Sequence, residues 1–378
     1  MYKGTEMVRV PVVIYRAGTS KGIFVKEVDL PADEKVRDRV ISALFGSPDK
    51  RQIDGLGGAD PLTSKLAIIG PSSRPDADVD YTFAQVDINS PTVYFGAVCG
   101  NITAGVGPYA IDEGFVRAEE GETRIRIHAT NIGRIIEARV PTTNRSVQVG
   151  GDFAIDGVPG TGAKIELNWA DTAGANTGKV LPTGNPVDRL TVEGLGEIEA
   201  SIVDVGNTGV FVRAKDLGMK GTETPEEVDA NEELIKRCDA ITTAATEKIG
   251  KLTLATYVAP PADYTDHITG QVVQADQSDV LVRMIFMGKL HKTYAASLTN
   301  CCGTAAVIPG TLVNEAASPS SVAQGRVRLG HPGGIADVEV AVEEKEGKLA
   351  FPRISVCRTA RRIMEGYAFV RREVLEGS

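Results

Sequence analysis

The 378-residue chain is poor in aromatic side chains, which make up 5% of it with a single tryptophan, and it holds only five cysteines and four histidines. An odd number of cysteines (Cys99, Cys238, Cys301, Cys302 and Cys357) in a long chain without a secretory signal argues against a disulfide framework and for free thiols. His128, His267, His291 and His331 form no His-x3-His pair and the cysteines no Cys-x2-Cys pair, so zinc and haem signatures are missing and no metal is predicted. No run approaches the ~18 consecutive apolar residues of a membrane span, and the opening Met-Tyr-Lys-Gly-Thr-Glu-Met lacks the apolar core of a signal peptide. The expectation is a soluble, cytoplasmic protein without a membrane partner. Positive charge is also short: Lys and Arg number 41 against 50 Asp and Glu, a net charge of −9 that disfavours nucleic acid as a partner. Nucleotide loops are incomplete. Gly174-Ala-Asn-Thr-Gly-Lys-Val180 has one spacer too few for a phosphate loop and ends in Val, and Gly55-Leu-Gly57 lacks the third glycine of a dinucleotide fingerprint. Neither ATP nor NAD is indicated.

Glycine, in contrast, is abundant at 41 residues, which points to many tight turns and close backbone approaches. The length exceeds what one core usually organises, so two domains are expected. Val8 to Tyr15 reads as a strand broken by Pro11 that feeds a polar loop, Arg16-Ala-Gly-Thr-Ser-Lys-Gly22. Val36, Val40 and Leu44 recur at helical spacing before Gly46, predicting an amphipathic helix with a glycine stop. Tyr81 to Val86 and Asp337 to Val342 alternate as strands do, the second before a turn ending at Gly347. Thr224-Pro-Glu-Glu227 has the form of a capping box, and Leu234, Ile235, Cys238 and Ile241 share one face of the helix that follows. Cys238 therefore reads as a small buried hydrophobe. The glycine-rich stretch Asn168 to Asn185 is the expected junction, giving domains at 1–184 and 185–352 with 353–378 returning to the first.

Chemistry concentrates in Val98-Cys-Gly-Asn-Ile-Thr-Ala-Gly-Val-Gly107. A thiol just before Gly-Asn at a small-residue helix start sits among free backbone amides, which bind carboxylates and lower a thiol's pKa. A second segment, Asn300-Cys-Cys-Gly-Thr-Ala-Ala306, repeats the Cys-Gly-polar-x-Ala order about half a chain later, with Cys302 aligned to Cys99. Duplication predicts two helix N-termini that clamp an acid from both sides in a cleft between the domains.

These two segments resemble the diaminopimelate-epimerase superfamily, which carries Cys-Gly-Asn in one half and Cys-Gly-Thr in the other. The resemblance implies an α/β (α+β) fold of two pseudo-symmetric domains, each with a β-sheet wrapped around a central helix. Gly206-Asn207 is similar to that superfamily's Gly-Asn-Pro substrate loop with Thr for Pro, which makes Asn207 a binding candidate. Longer motifs point to one branch: Arg16-Ala-Gly-Thr-Ser-Lys-Gly22, Gln52-Ile-Asp-Gly-Leu-Gly-Gly-Ala-Asp-Pro-Leu-Thr-Ser-Lys65, Leu181-Pro-Thr-Gly-Asn185, His291-Lys-Thr-Tyr294 and Arg358-Thr-Ala-Arg-Arg-Ile-Met-Glu-Gly366. Together they resemble the 2-methylaconitate cis-trans isomerase and 3-methylitaconate delta-isomerase family, which includes oxalomesaconate tautomerases. In that family the lysine of Thr-Ser-Lys and the cysteine of Cys-Gly-Asn are implicated in proton transfer, which implies Lys65 and Cys99. Thr19, Ser20, Ser64, Gly100, Asn101, Asn207, His291, Cys302, Gly303 and Thr304 are the expected substrate-binding residues.

The implied reaction moves a C=C double bond in a small unsaturated di- or tricarboxylate by removing an allylic proton and returning it at the other end, without a cofactor. Lys65 is the expected base, or a cation beside the developing enolate, and Cys99 the acid or paired base. Cys302 supplies the second thiol of the epimerases, so a two-thiol epimerase is a live alternative, as are an oxalomesaconate tautomerase and a silent carboxylate-binding protein. Read without the resemblance, Lys65 is a solvated lysine, Thr19 and Ser20 cap a turn, His291 is a packed histidine, Arg358, Arg361 and Arg362 form a solvated basic helix end, and His331 is a rim donor. His128 and His267 have surface or strand roles. A homo-oligomer is expected on general grounds.

Overall fold

Side-chain parity along the strands decides which layer each residue joins. The computed structural model describes residues 6–345 and 348–376, and these divide into two compact units. One comprises the described residues up to Phe153, with Thr161–Ile165 and those from Arg358 on; the other comprises Ala154–Gly160 and Glu166–Cys357. Among the described residues no helix is long and apolar enough to cross a membrane.

In the first unit, β1 (Met7–Ala17) runs antiparallel to β2 (Ser20–Lys26). After α1 (Glu34–Phe45), β3 (Lys65–Pro71) lies parallel to β2 and antiparallel to β4 (Val79–Val86). Val10, Val12, Ile23, Val25, Leu66 and Ile68 present one sheet face to Val40, Ile41, Leu44 and Phe45 of α1, forming a core layer. Asp33 caps α1 by accepting from Val36 N, and Gly46 ends it with φ of +74°, as the sequence predicts. The opposite face carries Phe24, Ala67, Ile69, Tyr81 and Phe83 toward α2 (Gly100–Asp112), which is buried from Gly100 to Ala110. A helix buried on every side needs the sheet to continue around it, and β5 (Gly121–Ala129), parallel to β4, and β6 (Arg134–Thr143), antiparallel to β5, do so. Two glycines permit the close approach: a Cβ on Gly105 would stand 2.6 Å from the Phe24 ring, and one on Gly107 2.7 Å from Val140.

The second unit repeats this succession. β7 (Asp188–Val192) pairs antiparallel with β8 (Gly196–Val205), and β8 with β9 (Asn207–Arg213). After α3 (Pro225–Asp229) and α4 (Glu232–Ile249), β10 (Leu254–Ala259) is parallel to β9 and antiparallel to β11 (Val280–Phe286). Beyond α5 (Ala296–Val307), β12 (Arg326–His331) is parallel to β11 and antiparallel to β13 (Gly334–Lys345). Every residue of α5 is buried. Leu234, Cys238, Ile241 and Ala245 of α4 pack on the outer sheet face, and burial lifts the Cys238 thiol to about 12. The likeness extends to side chains: Asp78 and Arg126 in the first unit, and Asp279 and Arg328 in the second, make the same forked ion pair, each carboxylate also accepting the arginine's backbone N–H. The expected α/β architecture, a sheet around a central helix in each half, is what the two units adopt.

Four local expectations differ from the structure. The segment Arg16–Gly22 is a β1–β2 hairpin rather than a loop, with only Gly18 and Thr19 in the turn and φ of +52° at Gly18. Pro11 does not break β1, because pairing with β2 begins at Val13 and Pro11 lies opposite Tyr367 of the last strand, Ala360–Arg371. The segment Arg358–Gly366 is strand, completing β14 (Lys348–Arg358) and opening the last strand, so it is not a basic helix end. Arg362 pairs with Glu113 and Glu365 instead of lying in solvent. The chain changes unit between Phe153 and Glu166, upstream of the glycine-rich stretch. That stretch is glycine-rich because it folds tightly over buried Asp204, whose carboxylate accepts from Asn176 N, Thr177 N and Thr177 Oγ1 at 2.7–2.9 Å. Residues 346 and 347 of the turn expected after β13 lie outside the described residues.

Candidate active site

Lys65 opens β3, and strand alternation places it with Ala67 and Ile69 on the face turned to α2. It is 6% exposed. Its Nζ donates to Gln85 Oε1 at 2.6 Å and lies 5.5 Å from the centre of the Phe83 ring. Burial lowers its pKa from the ordinary lysine range, opposed by its coupling to the nearby Cys99 and Asp60 side chains. The solvated-lysine reading is therefore excluded.

The loop before Lys65 explains its long motif. Buried Gln52, at φ of +45°, accepts from Ala59 N and Ser64 Oγ at 2.8 Å each and donates to Ser47 Oγ at 3.1 Å. Gly57 has no Cβ because one would stand 2.2 Å from Gln52 Oε1. Asp60 Oδ1 accepts from Leu62 N, and the Ser64 hydroxyl donates to Asp60 O as well as to Gln52. Ser64, a predicted substrate contact, is fully buried in this scaffold and holds the loop that delivers Lys65.

Cys99 is the N-cap residue of α2, in extended conformation, and its thiol makes no capping bond. Thr103 takes that task, its N–H and Oγ1 both donating to Cys99 O at 2.9 and 2.8 Å. The Cys99 side chain is half-buried, and it lies near enough to Lys65 and Tyr81 to couple electrostatically to both. Gly100 and Asn101 supply the first helical amides. The Asn101 amide donates from Nδ2 to Thr19 Oγ1 at 3.0 Å and accepts at Oδ1 from Thr19 N and Arg358 Nε, each at 3.3 Å. Asn101 and Thr19 thereby bind the hairpin turn to the helix start, and a Cβ on Gly18 would strike Asn101 Oδ1. Arg358, read from sequence as solvated, is buried and performs this anchoring. Arg16 braces the same turn through Thr359 O and Thr359 Oγ1. Ser20 follows in β2, and its buried Oγ has no protein partner.

The remaining predicted residues belong to the second unit. Asn207 follows Gly206, whose φ is +67°, and donates from Nδ2 to Ser297 Oγ at 2.8 Å at the start of α5. His291 is half-buried, and its Nδ1 accepts from Thr293 N at 3.3 Å, which puts the proton of the neutral ring on Nε2. Cys302, Gly303 and Thr304 do not lie at the helix start where the Cys-Gly alignment put them. The N-cap of α5 is Ala295, so Cys302 lies two turns inside the helix, fully buried, with its pKa raised well above the usual thiol range by burial. A Cβ on Gly303 would stand 2.3 Å from Val338 Cγ1, so that glycine serves packing. The alignment by Cys-Gly is displaced: Ala295-Ala296-Ser297-Leu298-Thr299 occupies the place of Cys99-Gly100-Asn101-Ile102-Thr103, with Thr299 N and Oγ1 donating to Ala295 O as Thr103 does to Cys99 O. The positive-φ glycine between paired strands that precedes each central helix, Gly18 in one unit and Gly206 in the other, would have corrected the alignment. His331 is buried, with Nδ1 accepting from Gly333 N, and is no rim donor. Among the described residues no group of three or more His, Cys, Asp or Glu side chains is placed to hold a metal ion.

The first unit thus holds a buried amine, Lys65, and a half-buried thiol, Cys99, at the positive end of a helix. The helix-end amides beside them suit a carboxylate or the enolate derived from it.

A family profile described as PrpF protein matches residues 7–371. The chain is 52% identical to the 3-methylitaconate isomerase of Eubacterium barkeri, over 98% of this chain and 100% of that protein. It is 36% identical to a 2-methyl-aconitate isomerase of Shewanella oneidensis, over 96% and 97%, and 38% identical to a 4-oxalomesaconate tautomerase of Pseudomonas putida, over 98% and 98%. The crystal structure of a methylitaconate-delta-isomerase matches with a TM-score of 0.80 at 50% identity, over 99% of this chain and 98% of that one. A hydroxyproline epimerase from Agrobacterium vitis shares the fold, with a TM-score of 0.57 at 11% identity over 98% and 93%.

Proposed function

Because this chain belongs to the PrpF family, matched from residue 7 to 371, we propose that it moves a C=C double bond in a small unsaturated di- or tricarboxylate, with an acid of the 3-methylitaconate type as substrate. It is an isomerase, as its named relatives are. The observation that carries the mechanistic reading is the buried Lys65 amine within the electrostatic reach of Cys99 at the N-terminus of α2. Lys65 takes the allylic proton, the electron pair spreads through the alkene to the carboxylate, and Cys99 returns a proton to the far alkene carbon. The double bond shifts, nothing is oxidised or reduced, and no cofactor is called for. In the reverse direction the two groups exchange roles. The helix-end amides of Gly100 and Asn101 and the Ser20 hydroxyl are the proposed partners of a substrate carboxylate.

The two-thiol epimerase reading loses its support, since the position of the second thiol is taken by Ala295 and Cys302 is sealed in the middle of α5. The 3-methylitaconate type is preferred to the aconitate and oxalomesaconate types on the 52% identity to the first against 36% and 38% to the others. Proton NMR in deuterated water tests the proposal with 3-methylitaconate, 2-methylaconitate, oxalomesaconate and diaminopimelate. Double-bond migration in the first acid, lost in Lys65→Ala and Cys99→Ala and kept in Cys302→Ala, is the expected result. Exchange at a saturated carbon that needs Cys302 would overturn it, as would binding without any exchange.

A further inference from the structure

Lys65 and Gln85 face each other directly across the β3–β4 ladder, so their side chains leave the sheet side by side toward α2. The orientation of the Gln85 amide is fixed by its neighbours. Its Nε2 donates to Pro61 O at 3.1 Å and Ser64 O at 3.0 Å, which uses both amide hydrogens and directs Oε1 at Lys65 Nζ. A flipped amide would set its oxygen against two carbonyl oxygens, so one orientation prevails. Both accepting carbonyls belong to the loop that Gln52 holds rigid, and Gln85 itself is buried.

Taking Lys65 as the base of the proposed reaction, we infer that Gln85 is a positioning residue: its carbonyl oxygen fixes where the Lys65 amine points, and its lack of charge lets that amine trade a proton instead of being held in an ion pair. An amide oxygen accepts from an amine as well as from an ammonium, so the contact survives both halves of the cycle. A carboxylate in its place would hold the ammonium. The other groups that bear on Lys65 are the Phe83 ring from β4, Cys99 from the start of α2 and Asp60 from the preceding loop. Gln85 is the side chain bonded to the nitrogen itself.

The test compares Gln85→Glu and Gln85→Met with the native enzyme by two readouts, the pH dependence of kcat in the direction in which Lys65 takes the proton, and titration of the Lys65 ε-carbon by NMR. Lys65→Met identifies the resonance. In Gln85→Glu the acid limb and the NMR midpoint move up together by about 1 pH unit or more. In Gln85→Met, which has no acceptor, both move down, and kcat falls about tenfold or more with KM little changed. A merely structural glutamine would lower stability in both variants without moving the two midpoints in opposite directions, and native midpoints in both would overturn the inference. Failure of the underlying reading is separate: Lys65→Met would keep its turnover while the NMR midpoints still moved in the Gln85 variants.

Discussion

Lys65 and Cys302 show how burial gives two reactive side chains opposite fates. Lys65 is buried at the start of β3 with its amine on Gln85 Oε1, and burial lowers its pKa. Between its folded and unfolded pKa values the unfolded chain holds a proton that the native state lacks, so this group contributes instability that grows as pH falls through the window below the ordinary lysine value. Lys65→Met is therefore expected to lower kcat by about 10²–10⁴ while raising the melting temperature at neutral pH, read by calorimetry alongside the assay. Cys302 is fully buried inside α5 beside Tyr294 and Cys301, where burial raises its pKa and keeps it a neutral thiol. Cys302→Ala should keep turnover within about twofold and lose about 1 kcal/mol of stability in a urea titration.

At the scale of elements, the two central helices are set by small residues that let the sheet close around them. Gly303 faces Val338 of β13 as Gly107 faces Val140 of β6, with room for hydrogen only. Gly303→Ala would insert a methyl group 2.3 Å from Val338 Cγ1, and the expected penalty is about 1–3 kcal/mol from overpacking, measured by chemical denaturation. The glycine of the second Cys-Gly is thus a packing residue, although its neighbours spell a substrate motif. By contrast, the capping box at Thr224 and Glu227 and the Gly46 stop were readable directly, because a cap is satisfied within one turn of chain.

For the whole molecule, duplication places the same ion pair in each unit but buries one carboxylate more deeply. The Asp279 side chain is 1% exposed and that of Asp78 27%. Burial pushes both acids up, yet hydrogen bonds from Arg328 and Ser321 to Asp279, and from Arg126 to Asp78, outweigh it and leave both pKa values below the carboxylate norm. A depressed carboxylate contributes stability that is present above its unfolded pKa and disappears as pH falls through the folded one. Acid unfolding should therefore steepen below about pH 4. Asp279→Asn is expected to cost about 3–5 kcal/mol and Asp78→Asn less, with a shallower acid transition in each, followed by circular dichroism.

The sequence by itself determined the local signals: the helix ending at Gly46, the capping box, the Cys99 helix start, the duplicated fold and the family's motifs, each readable because its cause lies within a few neighbouring residues or recurs in the chain. Only the tertiary structure decided that Gln52 and Gln85 hold Lys65 in place, that Arg358 returns from the far end of the chain to orient Asn101, and that Cys302 is two turns inside α5 rather than at its start. These depend on partners distant in sequence, or on where a helix begins when no side chain caps it. A motif records residue identity and spacing, whereas proton affinity depends on burial and on the groups that folding brings near.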